Sequence, residues 1–561
     1  MKLFKEVIRK NLKVIIFYVL IGICINFLSL YSVTYYQKIL DDFQFKTKAF
    51  VPLIIYGTLL ITVTLLSYLE NIPEQKVKNK LYLDFKLQAL VKMKTIDYLE
   101  YQKNGTGRLT QKIEDGTSAL RDNLVNFWLN IFRSLLPAII FSLIFIYNVK
   151  KELIIFVILG YIIVIIISNI ILKKLYKLKE KVLFNQEYLN KHLIRGFMEL
   201  VVFRTNKKYD TEINKTQNEI KNIVDGKTQI TLIHEAFFTI FALIFNILQV
   251  IILGYAVLKS NLSVGAVVTL LTLLDKAYQP IAIFNVEYVD YKLNKVAANK
   301  YLNFLDAKDD TALTNGKKVK SLAGNIEFKN VSFSYSSKRK VIDNISFKIH
   351  NNSSVAFVGQ SGSGKSTLIK LIMGLIKYQS GDILIDNQKL PLLNLNSYYE
   401  KVTYISQEIQ IFDGTLRENL IFDKTIPDNE IIKVLSLVCL DKFYEKLENG
   451  LDTELGEKGI RISGGEKQRI ALARLYFSSS KIIILDEATS ALDNITEKKV
   501  MKNIITHLKN KTIIIIAHRL ETIKNVSKIY VLKNGEIKEQ GTYNELLSLN
   551  GLFSKLYKSA K

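Results

Sequence analysis

The sequence predicts two joined parts: a membrane α-helical domain of six transmembrane helices with long cytosolic extensions, and an α/β P-loop domain that binds nucleotide. Two observations support this fold class. The first half of the 561 residues contains six long apolar runs separated by charged stretches, and the second half alternates short strand-like runs with helical ones. A glycine-rich loop between one such strand and the helix after it predicts that the second half binds phosphate groups.

Composition requires apolar and charged residues to be segregated along the chain. The sequence is 49% hydrophobic, yet it carries 77 Lys and Arg and a formal charge of +25. No basic segment with interleaved aromatic residues resembles a nucleic-acid reading module, so we expect no nucleic-acid partner. Lys-rich cytosolic flanks that face anionic membrane lipid account for the charge. The two cysteines, Cys24 and Cys439, provide neither a disulfide framework nor a metal cluster.

The six apolar runs are each long enough to cross hydrocarbon at about 1.5 Å per residue. Arg133 interrupts the third run, and Asp275 with Lys276 interrupts the sixth. The predicted spans are Val14–Tyr36, Ala49–Leu69, Asn123–Val149, Leu153–Leu172, Ala236–Leu258 and Ser260 to about Val286.

The loops between the spans predict the orientation of the chain. Those after the second and fourth spans, 70–122 and 173–235, are long, charged and helix-forming, and they contain most of the Lys and Arg of this half. The positive-inside bias places them, the N-terminus and the second half of the chain in the cytosol of a multi-pass cell-membrane protein. We therefore expect a transmembrane domain at 1–290, a connector at 291–323 and a nucleotide-binding domain at 324–561.

The glycine-rich loop follows the strand-like run Ser354–Val358 and opens a helical run. Glycines let backbone N–H groups surround phosphate oxygens, and the helix N-terminus adds its positive end. In this pattern Lys365 reaches the β and γ phosphates and Ser366 binds Mg²⁺, which predicts ATP and Mg²⁺ as cofactors. The alternative is a flexible turn, but a chance match to the full pattern between a strand and a helix is rare. The loop consists of Gly359, Gln360, Ser361, Gly362, Ser363, Gly364, Lys365, Ser366 and Thr367.

Further motifs follow the P-loop in order. They are Gln407, the run Ile462-Ser463-Gly464-Gly465-Glu466, the apolar run Ile482–Leu485 ending in Asp486 and Glu487, then Ser490–Asp493 and His518. From 324 to 561 the chain resembles the ATPase domain of ABC transporters, and its helical half resembles the six-helix membrane domain of the exporter-type members. The resemblance implies an α/β P-loop ATPase domain.

The resemblance also implies a role for each motif residue. Asp486 would hold Mg²⁺, Glu487 would act as general base on the attacking water, and Gln407 would sense Mg²⁺ and the γ-phosphate. His518 would contact the γ-phosphate, and Tyr335 would stack on adenine, although it could equally be a half-buried strand aromatic. The signature residues would serve the ATP of the opposite subunit: Ser463, Gly464, Gly465 and Glu466. Ile462 and Glu466 stand where the commonest signature has Leu and Gln.

Three segments resemble parts of exporters that connect the ATPase to the membrane. Asp97–Tyr101, with Gly105–Leu109 and Asp115 after it, resembles the first coupling segment. Thr453–Gly459 resembles the loop that contacts such segments, and its alternative is a solvated acidic loop around Glu454. A second coupling segment is expected near Phe203–Tyr209.

The resemblance implies an exporter-type half-transporter that works as a dimer with a second half-transporter. The homodimer is favoured and a heterodimer stays open. By alternating access it would export an amphipathic or hydrophobic substrate, such as a peptide, a lipid or a drug. Two alternatives remain: an exporter-fold importer of a siderophore-like ligand, and a non-transporting membrane ATPase that regulates a partner.

Ionisable residues inside the spans are costly and predict a translocation path. An unpaired charge facing lipid costs at least about 2.5 kcal/mol, so Arg133, Asp275 and Lys276 should face a wet cavity or one another. Asn246 and Gln249 lie three residues apart on one helical face and would extend the polar surface. The alternative is a structural pair between Arg133 and Asp275.

Overall fold

The computed structural model of the protein describes residues 2–43, 46–104, 106–198, 200–259, 262–335, 340–422, 424–456, 459, 462–517 and 519–560. The chain divides into two compact units. The first comprises Met1–Lys94 and Asn104–Ala307, and the second comprises Thr95–Lys103 and Lys308–Lys561. The second unit therefore includes a short segment from the first half of the sequence.

The first half of the chain is helical. Its α-helices are α1 Lys2–Asp41, α2 Lys46–Met93, α3 Tyr98–Asn104, α4 Thr106–Asp122, α5 Leu136–Val149, α6 Ile154–Met198, α7 Leu200–Thr205, α8 Tyr209–Lys259 and α9 Val264–Leu305. Two π-helical stretches, Asn123–Leu129 and Ile131–Leu135, join α4 to α5. Residues 291–305 are the end of α9. The division into a transmembrane domain, a connector at 291–323 and a nucleotide-binding domain stays a prediction.

Among the described residues, six helices are long and apolar enough to cross a membrane, which confirms the predicted number of spans. They are Phe4–Asp41, Lys48–Met93, Leu109–Val149, Lys151–Phe197, Tyr209–Tyr255 and Val264–Leu305. Each continues beyond the apolar run that identified it, as the helix-forming loops predicted. The sixth begins at an N-cap, where the Ser263 hydroxyl accepts from the Ala266 N–H at 3.1 Å.

Arg133 lies in the second π-helical stretch and is compensated within the first unit. Its Nε lies 3.1 Å from the Glu70 carboxylate, and its Nη1 donates to the Tyr18 hydroxyl. Gly22 makes room for this arginine, because a Cβ there would stand 2.1 Å from the arginine Cγ. The alternative pair between Arg133 and Asp275 is wrong, since the guanidinium is directed to α1 and α2 while Asp275 is exposed.

The second unit is built on two sheets. Its strands are β1 Ile326–Phe333, β2 Ile342–Ile349, β3 Ser354–Val358, β4 Ser380–Ile385, β5 Gln388–Lys389, β6 Val402–Ile405, β7 Ile482–Asp486, β8 Thr512–Ile516, β9 Lys528–Lys533 and β10 Glu536–Gly541. The antiparallel sheet has the order β2-β1-β4-β5 and the larger sheet has the order β10-β9-β3-β8-β7-β6. Strands β6, β7, β8, β3 and β9 pair in parallel, and β10 is an antiparallel edge.

Helices cover the larger sheet. They are α10 Lys365–Ile372, α11 Leu395–Tyr399, α12 Leu416–Ile421, α13 Asp428–Leu437, α14 Asp441–Tyr444, α15 Gly464–Ala473, α16 Asn494–His507, α17 Tyr543–Ser548 and α18 Leu552–Ala560. The central strands β3, β7 and β8 are buried along almost their whole length, which explains their continuous apolar sequence. Their carboxyl ends meet at one edge of the sheet, where the motif residues stand.

The segment 95–103 packs on the second unit through backbone and side-chain contacts. The Asp310 N–H donates to the Thr95 carbonyl at 2.8 Å, and Ile96 forms an antiparallel bridge with Asp309. Tyr98 and Leu99, at the start of α3, pack against the apolar core that contains residues of both sheets and of α10. The Asp97 carboxylate caps α3 by accepting from the Leu99 N–H at 2.9 Å.

We predict that Arg133→Met lowers the thermal unfolding midpoint of the detergent-purified protein. The substitution leaves the buried Glu70 carboxylate without its cation, which costs about 3–5 kcal/mol. Adding Glu70→Met to it should restore most of the midpoint, because two apolar side chains replace the pair. Asp275→Asn is the matched control and should leave the midpoint unchanged. A double variant no more stable than Arg133→Met would contradict the pairing.

Candidate functional site

The phosphate loop lies between β3 and α10 at the centre of the larger sheet. Gly362 and Gly364 have φ of +77° and +106°, in the left-handed region that favours glycine. A Cβ at Gly364 would stand 2.8 Å from Ile342 and 3.0 Å from the Val341 carbonyl. No side chain caps α10, so its first N–H groups stay available. The loop is therefore an anion cradle made of backbone.

Lys365 is the cation of this cradle. Its ammonium donates to the carbonyls of Gly359 and Gln360 at 2.8 and 3.0 Å, and the side chain is buried. Burial lowers the pKa of Lys365, while Glu487 and Asp486 raise it. Ser363 is also buried, and its hydroxyl has no hydrogen-bond partner among the described residues. A buried ammonium beside a buried unpaired hydroxyl forms a site suited to an anion.

Two carboxylates stand at the end of β7. Burial raises the pKa of Asp486, and the Tyr404 hydroxyl, which donates to it at 3.2 Å, opposes that rise. Glu487 has φ of +53°, an unusual conformation for a side chain of this size. The Gln407 amide donates to the Glu487 carboxylate at 2.7 Å. The structure thus joins Gln407, Asp486 and Glu487 at one edge of the sheet, as their order in the sequence predicted.

The run Ser463–Glu466 forms the N-terminus of α15. The Ser463 hydroxyl accepts from the Glu466 N–H at 3.3 Å, and the Glu466 carboxylate accepts from the Ser463 N–H at 2.7 Å. This is a capping box. The 490–493 loop lies against this helix start, and a Cβ on Gly465 would stand 3.4 Å from the Ala491 carbonyl, an ordinary van der Waals distance. The glutamate that departs from the commonest signature is therefore a good N3 residue for this helix.

Two family models match the chain. The one described as ABC transporter transmembrane region matches residues 14–278, and the one described as ABC transporter matches residues 342–490. The chain belongs to the ABC transporter family. It carries one transmembrane region and one ATPase domain, which is the arrangement of an exporter-type half-transporter, and it hydrolyses ATP as a translocase.

Individual relatives agree with this assignment. A Rickettsia bellii protein named as an export ATP-binding/permease protein is 29% identical over 537 residues, which are 91% of this chain and 90% of that protein. The ATP-dependent lipid A-core flippase of Shewanella oneidensis is 35% identical over 304 residues, which are 54% of this chain and 50% of the flippase. The solved structure of a bacterial Atm1-family ABC exporter with ATP bound has a TM-score of 0.85, at 24% identity, and covers 99% of this chain and 98% of its own.

The residues present in this ABC transporter fit MgATP. The unpaired Ser363 hydroxyl and the uncapped N–H groups of α10 suit phosphate oxygens. The Ser366 hydroxyl and the Asp486 carboxylate supply hard oxygen donors of the kind that Mg²⁺ prefers. Tyr335 is 48% exposed, and its ring meets that of Phe333 edge-on at 4.8 Å. His518, predicted to contact the γ-phosphate, lies outside the described residues.

Sequence reasoning missed the side chains that hold the 489–493 loop of the transporter. On one side Gln468 of α15 donates to the Ser490 hydroxyl at 3.0 Å and accepts from the Ala491 N–H at 2.8 Å. On the other, the buried Glu497 accepts from the Thr489 hydroxyl at 2.6 Å and from Arg519 at 2.7 Å. Gln468 and Arg519 are more than 20 residues from the partners that they contact, and Gln, Glu and Arg are common residue types. The only sequence signal for these contacts is the position of Gln468 and Arg519 directly after recognisable motifs.

We predict that Arg519→Gln lowers the ATP turnover of the full-length transporter more than it changes KM for ATP. Arg519 also donates to the Leu492 carbonyl at 2.7 Å, so it ties the 489–493 loop to the segment that follows β8. Losing a charge-assisted bond to a buried carboxylate costs about 1.5–3 kcal/mol. Steady-state ATPase kinetics in nanodiscs measure the effect.

Two variants control this experiment. Arg519→Lys should recover part of the turnover because it restores the charge, and Lys524→Gln, on an exposed residue of the same segment, should behave like the unaltered protein. A proportional change of kcat in all three variants would contradict the role assigned to Arg519.

Proposed function

We propose that this ABC transporter exports an amphipathic or hydrophobic substrate across the cell membrane as a homodimer, by alternating access driven by ATP. Its N-terminus and ATPase domain lie in the cytosol in this proposal. The observation that carries it is the packing of the 95–103 segment on the ATPase unit, because a segment placed between two membrane-crossing helices is then bound to the domain that hydrolyses ATP. The name of the flippase relative, which specifies a lipid, supports an amphipathic substrate.

In the proposed mechanism Lys365 and the backbone of 359–367 bind the β and γ phosphates. Ser366, Asp486 and Gln407 would hold Mg²⁺, which would neutralise phosphate charge when bound. Glu487 takes a proton from the attacking water as general base, and Gln407 orients its carboxylate through the 2.7 Å hydrogen bond. Tyr335 stacks on the adenine, and His518 donates to the γ-phosphate.

The signature residues act on the nucleotide of the other subunit in this proposal. Ser463, Gly464, Gly465 and Glu466 begin α15, and its N–H groups suit a γ-phosphate. Two ATPase domains then enclose two nucleotides. Closure of this sandwich moves the 95–103 segment, and the cavity between the membrane helices turns outward.

The loop 453–459 is the second contact surface that we assign to coupling. It is held at its start, where the Leu416 N–H donates to the Thr453 carbonyl at 2.9 Å and Glu454 bridges to Thr415. Glu454 itself is exposed, so its carboxylate is available to a neighbouring segment. Residues 457 and 458 lie outside the described part of the chain. We assign the second coupling segment to Phe203–Tyr209, which runs from the end of α7 through the turn after it and in which Arg204 and Lys208 are exposed.

We predict that Glu487→Gln retains ATP binding but lowers ATP turnover by roughly 10² to 10⁴-fold, because it removes the general base. Lys365→Ala is the matched comparison and should weaken nucleotide binding, since the β and γ charge is left uncompensated. Nucleotide titration and phosphate release on the same purified preparations separate the two effects. Near-normal turnover by Glu487→Gln would exclude the assignment.

We predict that Tyr98→Ala and Glu454→Lys each uncouple ATP hydrolysis from transport. Neither residue belongs to the phosphate loop or to the carboxylates at the end of β7, so basal hydrolysis should stay within about twofold while ATP-driven transport into inside-out vesicles is lost. Lys103→Ala is the control, because its ion pair with Glu100 is exposed and exposed pairs contribute about 0–1 kcal/mol. An equal loss of hydrolysis and transport would indicate misfolding rather than uncoupling. Transport only in right-side-out vesicles would indicate import.

A further inference from the structure

Gln407 lies in an irregular loop, residues 406–412, that follows β6. Among the described residues, the backbone of 407–412 forms no hydrogen bond with another backbone group. At the start of the loop the Ser406 hydroxyl donates to the Glu408 carbonyl at 2.7 Å. Because backbone pairing does not fix this loop, the position of Gln407 depends on side chains that reach the loop from other elements.

Asn419 of α12 holds the far end of the Gln407 loop. It is buried, and its amide oxygen accepts from the Phe412 N–H at 2.8 Å while its amide nitrogen donates to the Phe412 carbonyl at 2.9 Å. The same nitrogen donates to the Thr415 carbonyl at 3.0 Å. A buried amide whose oxygen and nitrogen are both bound to backbone groups has a fixed orientation. Asn419 therefore fixes Phe412 relative to α12.

Arg474 reaches the middle of the same loop from the end of α15, where it is the C-cap residue. Its Nη2 donates to the Gln410 carbonyl at 3.1 Å, and its Nε donates to the Asn419 carbonyl at 2.7 Å. The ring centroids of Phe412 and Phe422 lie 5.8 and 5.2 Å from the guanidinium carbon, within the range of cation–π contacts. One guanidinium thus contacts the Gln407 loop, α12 and two aromatic rings.

Two common roles of arginine do not account for these contacts. A cation at the end of a helix often caps the last carbonyls of that helix, whereas this guanidinium donates to carbonyls of the loop and of α12. Within the described part of the chain, no Asp or Glu forms an ion pair with Arg474, and burial lowers its pKa to about 10. Burying a cation without a carboxylate is costly. The contacts that remain are those that hold the loop.

We propose that Arg474 and Asn419 are positioning residues for ATP hydrolysis, which fix the Gln407 loop to the helix that begins at the signature residues. Helix α15 runs from the Ser463 cap to Arg474, about 16 Å at 1.5 Å per residue. Within the loop, the Gln407 amide donates to the Glu487 carboxylate at 2.7 Å. A displacement of α15 is therefore passed to the carboxylate assigned as general base. This inference rests on the proposed roles of Gln407 and Glu487.

Arg474→Lys tests the role, because it keeps the charge but loses the planar group that donates to two carbonyls. In the full-length protein in nanodiscs, kcat for ATP hydrolysis should fall about tenfold, while KM for ATP should change less than about twofold. Arg417→Lys is the matched control. Its guanidinium pairs with Asp452 at 2.9 Å and with Asp428 at 3.1 Å instead of the loop, so kcat should stay within about twofold.

A double-mutant cycle with Gln407→Ala supplies a readout that a merely structural role would not move. If Arg474 acts through Gln407, adding Arg474→Lys to Gln407→Ala should lower kcat by less than about twofold further, because the side chain that it positions is already absent. Effects that multiply would overturn the proposal, and so would an unchanged kcat in Arg474→Lys. If Arg474→Lys fails to fold, the same cycle with Phe412→Leu, on an exposed ring that contacts the guanidinium, decides.

Glu487→Gln, measured on parallel preparations, separates this inference from the proposed function. A collapse of turnover in Glu487→Gln together with multiplying effects of Arg474→Lys and Gln407→Ala would refute the positioning role alone. Near-normal turnover in Glu487→Gln would refute the general base, and an unchanged kcat in Gln407→Ala would overturn both the role of Gln407 and this inference.

Discussion

Backbone hydrogen bonding in hydrocarbon is the constraint on which the rest of this architecture depends. Every N–H and C=O group in the bilayer core must be paired within the protein, so each apolar run has to be a helix. Here the helices do not end where the apolar run ends: α2 runs from Lys46 to Met93, and α8 from Tyr209 to Lys259. A movement at the polar end of such a helix is therefore carried along its length into the membrane segment.

Much of the fold follows from the sequence because its signals are local and strong. The bounds of β3 are those predicted, since it is a short apolar-rich run after turn residues. Strand β10 gives a weak sequence signal, because it is largely polar and partly exposed, so that no apolar run marks it. The number of spans was predictable for the same reason, because each span is a continuous apolar run of characteristic length.

The partners of charged residues could not be predicted in the same way. Arg133 pairs with Glu70, which lies 63 residues earlier in the chain. This pairing depends on how α1, α2 and the π-helical stretch are rotated about their axes. A wide π-turn shifts every later side chain around the helix, which no periodicity argument with 3.6 residues per turn anticipates. The same holds for Glu497 and Arg519, whose contact depends on the crossing of α16 with the segment after β8.

The P-loop helix provides a short physical link between the nucleotide and the coupling segment. Helix α10 begins at Lys365, and the next turn carries Lys370, whose ammonium lies over the Tyr98 ring at 5.6 Å and over the Tyr335 ring at 5.9 Å. The tyrosine assigned to adenine and the tyrosine of the coupling segment therefore share one cation on the helix that begins at the phosphates. Tyr98 also packs on the core that contains the apolar side chains of α10, so the 95–103 segment contacts the helix that begins at the phosphate loop without a longer chain of contacts.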